Sequence, residues 1–138
     1  MIVPVQLGGR AMFRVCLSVA ILLPSLAMAD EIKIDGRWNT ANGPITISRL
    51  ETGEYAIVFD KYAGKTVGKL ADNVLSGTWQ DVAKVTPCPT EQNGSTYWGT
   101  FSISFYGPPA IEKPAFQGIL AFCENPNEGT NFSGERAD

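Results

Sequence analysis

Leu75-Ser76-Gly77-Thr78-Trp79 sets two large apolar residues, and the glycine between them, at alternate positions. The same phrase recurs as Ile34-Asp35-Gly36-Arg37-Trp38, Tyr97-Trp98-Gly99-Thr100-Phe101 and Phe116-Gln117-Gly118-Ile119-Leu120. A last copy, Phe132-Ser133-Gly134-Glu135-Arg136, ends in a charge. Alternate side chains of a strand share one face, so each phrase turns its bulky residues and its glycine the same way. A glycine between bulky neighbours on a concave face relieves crowding and lets the strand bend, as at the corners of closed sheets. The phrase therefore predicts curved strands wrapped around one core.

Outward from that strand the same alternation accounts for most of the chain. Ile32 to Thr40 alternates cleanly and predicts a half-buried first strand. Ile45 to Leu50, Tyr55 to Phe59 and Thr66 to Ala71 follow, parted by the turns Asn42-Gly43-Pro44, Glu51 to Glu54 and Lys61 to Lys65. Gln80 to Gly94 is the longest connection and carries Pro87, Cys88 and Pro89; its Asp81-Val82-Ala83-Lys84 is compatible with a helical turn. Ser95 to Tyr106 is the strongest strand, ended by Gly107-Pro108-Pro109, because proline cannot donate to a sheet ladder. Ala115 to Cys123, a loop from Glu124 to Thr130, and a terminal strand Asn131 to Arg136 complete the chain. About eight short strands at these turn spacings predict an all-β fold. Consecutive hairpins point to an eight-stranded antiparallel up-and-down barrel, whose closure removes exposed edges.

The N-terminus reads as a leader. Arg10 and Arg14 precede the apolar run Val15 to Leu26, and Ala27-Met28-Ala29 is a small-residue cleavage site. Residues 1–29 are therefore expected to be a cleaved signal peptide and 30–138 a single barrel domain, periplasmic or extracellular, with no membrane insertion after cleavage. Without Arg10 and Arg14, nine of the 11 basic residues face all 14 acidic ones, a net charge near −5. With no basic cluster, nucleic acid is not an expected partner. Cys88 and Cys123 remain after cleavage and are expected to form one disulfide, as paired cysteines in exported chains do.

Histidine is absent, which removes the usual general base, zinc ligand and triad partner. The thiols are expected to be bonded, and the carboxylates have neither calcium-loop spacing nor a position on the inward phase. No catalytic residue, metal or cofactor is expected. Trp38, Tyr55, Phe59, Trp79, Tyr97, Phe101, Phe105, Phe116, Phe122 and Phe132 all fall on the predicted interior. They either line a ligand calyx or fill the core, with any pocket shallow and at one mouth. Arg136 takes the inward phase where other copies of the phrase carry Trp, Phe or Leu. It either lies over a Trp face at the barrel end or sits in water on a frayed strand. Trp98 and Tyr106 are on the outward phase of the longest strand and are the candidates for a partner surface.

Gly36-Arg37-Trp38 on the first strand, with Arg136 near the end of the last, resembles the Gly-x-Trp and C-terminal Arg pairing of calycin barrels. That superfamily includes lipocalins, avidins and small bacterial metalloprotease inhibitors. Gly53-Glu54-Tyr55 and the Leu75 phrase resemble the third and fifth strands of avidins, and Tyr55 matches a tyrosine that contacts biotin there. Pro44 stands about where the avidin pattern wants a serine, and the cysteines lie later than those of the inhibitors. With the interior positions above, the resemblance makes Trp38, Tyr55, Trp79 and Arg136 the expected ligand-binding residues. The expected function is an exported, non-enzymatic binding module for an unidentified small ligand or protein partner. The alternatives are an inhibitor acting on an enzyme through its loops, and a carboxylate-dependent enzyme acting on polysaccharide.

Overall fold

The computed structural model describes residues 31–138; the expected signal peptide, its cleavage site and Asp30 lie outside the described residues. The fold is a closed barrel of eight antiparallel strands, each paired with its sequence neighbours, and β1 paired with β8. The strands are β1 (Gly36–Thr40), β2 (Ile45–Arg49), β3 (Tyr55–Phe59), β4 (Lys65–Ala71), β5 (Val74–Gln80), β6 (Trp98–Tyr106), β7 (Ala115–Phe122) and β8 (Asn125–Arg136). The disulfide Cys88–Cys123, with α-carbons 5.5 Å apart, ties the long β5–β6 loop to the end of β7. A bond of this kind fits a non-reducing compartment. Closing a loop between residues 35 apart restricts the unfolded chain by about 3–4 kcal/mol.

The expected strand Ser95 to Tyr106 begins only at Trp98, Ser95 bridging Gln92 across the Asn93-Gly94 turn instead, and two further boundaries differ from expectation for physical reasons. Ile32 to Asp35 alternates like a strand but lies outside β1. Its alternation is spent on covering one end of the barrel, where Ile34 is buried and Ile32 packs against the core. In the other case β8 begins at Asn125, so the expected loop from Glu124 to Thr130 is largely strand. Its residues are exposed and polar, which hides them from a hydrophobic pattern, and a register shift at Ala121/Phe122 accommodates them. The Asp81–Lys84 segment forms no helical turn.

The inward assignment of the organising phrase holds. Leu75 and Trp79 are buried while Ser76 and Thr78 are exposed. Gly77 pairs with Gly68 across β4 and with Phe101 across β6. A β-carbon at Gly77 would fall on the carbonyl oxygen of Val67 and lie 2.6 Å from the Gly68 α-carbon. Bending brings neighbouring backbones too close for any side chain. Trp79 also donates its indole N–H to the Ala121 carbonyl at 2.8 Å, satisfying the polar atom that its burial carries inward.

These contacts rank three substitutions in denaturant melts. Trp79→Ala opens a cavity and should cost about 3–5 kcal/mol. Gly77→Val forces backbone apart and should cost at least about 1–3 kcal/mol, whereas Thr78→Val should stay within about 0.5 kcal/mol of the parent. Damage by Thr78→Val alone would mean that the two faces are inverted.

Candidate functional site

The two ends of the barrel are built differently. At the end holding the β2–β3 and β4–β5 turns, the interior is full. Trp38 is wholly buried, with ring centroids 5.3 Å from Phe105 and 5.6 Å from Phe116. Its indole N–H donates to the Ile34 carbonyl at 2.9 Å. Arg136, opposite Trp38 in the β1–β8 register, lays its guanidinium over the Trp38 ring at 4.6 Å. It donates to the carbonyls of Asp35, at 2.5 Å, and Lys33. Of the two settings open to Arg136, the structure takes the Trp face.

At the other end the inward phase runs out into space. Phe59, Phe122 and Phe132 point inward but are only half-buried, and Thr130, paired with the inward Leu120, is exposed. Together with Val82 and Ala83 they line a cavity of about 650 Å³ that opens at the mouth, within the range of small-molecule sites. Its floor is continuous with the core, since Val82 and Leu120 are core residues and Phe132 stacks edgewise on Phe116 at 5.4 Å. Its rim comes from the β1–β2 turn, the β3–β4 loop and the β5–β6 loop. The last two meet at Gly64, where a β-carbon would strike the Val82 side chain and lie 2.7 Å from the Gln80 carbonyl oxygen. Asp81 holds the base of the longer loop, accepting from Ser95 Oγ at 2.6 Å and from Gln80 Nε2 at 3.4 Å.

The expected site residues divide accordingly. Trp38 and Arg136 touch each other at the closed end; Tyr55 borders a separate depression there beside Arg49 and Leu70. Trp79 is buried in the core. None of the four lines the mouth. Of the expected partner surface, Tyr106 is exposed, but Trp98 is a correction: it is only 5% exposed. The β5–β6 loop folds back over it, and its indole N–H donates to the Thr90 carbonyl at 2.9 Å. Trp98 thus borders an external groove of about 630 Å³ along the disulfide, which meets the mouth cavity at Val85 and Phe122. The rim residues Lys61, Tyr62, Ala63, Lys84 and Val85 lie in irregular loops, which carry no periodic signal in the sequence. Among the described residues no group of three His, Cys, Asp or Glu side chains is placed to hold a metal.

Arg136 closes its end through two backbone carbonyls and a ring face. Arg136→Ala should therefore lower stability by about 1–3 kcal/mol, and Arg136→Lys should restore only part, since one ammonium lacks the planar fork. Equal stability of all three proteins in thermal melts would show that the contact carries no weight.

Comparisons of the chain with protein families, with curated proteins and with solved structures returned no match.

Proposed function

We propose that this chain is an exported, non-enzymatic barrel that binds a small, largely apolar ligand in its open mouth. The observation that carries this reading is the contrast between the ends. Inward-phase residues are sealed at one end and at the other face a cavity of about 650 Å³ walled by Phe59, Phe122 and Phe132. Burying a ligand against those rings removes apolar surface from water, the dominant favourable term in such association. The consecutive eight-stranded topology, with Arg136 on Trp38, supports a calycin-like barrel, in which a mouth of this kind is the natural binding place. The leader-like N-terminus and the disulfide support export. The absence of histidine from the sequence supports a binding rather than a catalytic role.

One observation favours a second reading, an inhibitor-like module. Val85 is 77% exposed on a loop pinned by the disulfide, a position from which it would reach a protein target.

Titration with the neutral fluorophore N-phenyl-1-naphthylamine separates the two. The mouth-binding reading predicts saturable 1:1 uptake that Thr130→Trp abolishes without changing the melting temperature, since Thr130 is exposed to the cavity it would fill. No uptake, or uptake unaffected by Thr130→Trp, would overturn it. Loss of a protein partner on Val85→Asp would then support the inhibitor reading.

A further inference from the structure

The charges around the mouth select among apolar ligands. Although the chain as a whole is acidic, the cavity lining holds two lysines, Lys61 and Lys84, and a single carboxylate, Asp81. Asp81 is engaged by Ser95 and Gln80. The nearby Asp60 is taken by Arg37 at 2.8 Å. Neither lysine has an ion-pair partner among the described residues. Lys61 is also positioned: its stem lies along the β1–β2 turn, where a β-carbon at Gly43 would stand 3.0 Å from its Cε and 3.1 Å from its Cδ. An ammonium on a stem packed this way stays at the rim while its methylenes cover apolar surface. The external groove, equally apolar, carries Glu124 and Glu128 instead, so the two depressions differ in sign.

We infer that the ligand class of the mouth is an anionic amphiphile, an alkyl or small aryl carboxylate, with its apolar body on Phe59, Phe122 and Phe132 and its headgroup between Lys61 and Lys84. This rests on the binding role proposed for the mouth and adds the chemistry of the headgroup. The rim is open to water, so each lysine contributes as a surface charge does, modestly and with sensitivity to salt. Selectivity comes from the pair acting together.

Displacement of N-phenyl-1-naphthylamine by decanoate and by 1-decanol tests it. An apolar site without charges favours the alcohol, because the ionised carboxylate is the better hydrated. The inference predicts the reverse at low salt, with decanoate displacing the probe at about two- to threefold lower concentration. The preference should shrink in high salt and vanish in the Lys61→Gln, Lys84→Gln double variant, which still binds the neutral probe. Lys61→Glu with Lys84→Glu should instead favour decylammonium. Both lysines are exposed, so neither change threatens the fold. Equal or better displacement by decanol from the parent protein, or a carboxylate preference that survives the double variant, overturns the headgroup assignment and leaves the mouth as an apolar site. Failure of the neutral probe to bind at all overturns both.

Discussion

The barrel exists because β1 meets β8. That seam is short, with Trp38, Asn39 and Thr40 opposite Arg136, Glu135 and Gly134. Every other strand pairs with its immediate neighbour in sequence, a local event, whereas this pairing joins the first strand to the last. A few ladder hydrogen bonds offset little of the entropy of bringing the two ends together. The side chains at the seam supply what the ladder lacks. Arg136 spans it, with its guanidinium on the Trp38 ring and its N–H groups on the Lys33 and Asp35 carbonyls. Closure of the sheet and closure of one end of the barrel are therefore the same interaction.

Once that end is shut, the interior has only one direction in which to remain open. Trp38, Phe105 and Phe116 occupy the sealed part in edge-on and tilted contacts, and Ile32 and Ile34 lie across it. At the mouth, the cover is left to loops of the chain, and of the β5–β6 loop only the base, Val82 and Ala83, packs inward on the core. The β5–β6 loop is drawn down the outer wall by the disulfide and by the Trp98–Thr90 hydrogen bond. The part of the loop held against the outside cannot also plug the inside. The aromatic ring of the mouth is thus left partly uncovered by the same contacts that bury Trp98.

Strand phase was legible in the sequence because an alternation of large apolar residues and glycine has few other solutions. Leu75, Gly77 and Trp79 lie as their spacing requires, and Cys88 found Cys123. Where a pattern has two structural solutions, spacing alone does not choose between them. Alternation at Ile32 and Ile34 looks the same whether the residues pair in a ladder or pack across a barrel end. Outward phase at Trp98 says which side of the sheet it is on, not whether a loop covers that side. The mouth itself was least visible. Phe59, Phe122 and Phe132 were expected inside, but nothing in their spacing distinguishes a filled level of the barrel from an open one. That difference depends on where Val82 to Val85 come to rest, a matter of tertiary contacts such as Gly64 against Val82.

The central claim is one barrel with a sealed end and a receptive end, and methyl chemical shifts report on both at once. With isoleucine, leucine and valine methyls labelled, titration with N-phenyl-1-naphthylamine should shift Val82, Val85 and Leu120. Ile34, Ile47 and Ile103 should stay where they are. Shifts centred on Ile34 and Ile47, or none at Val82 and Leu120, would place the opening at the wrong end or deny it, and would contradict the account.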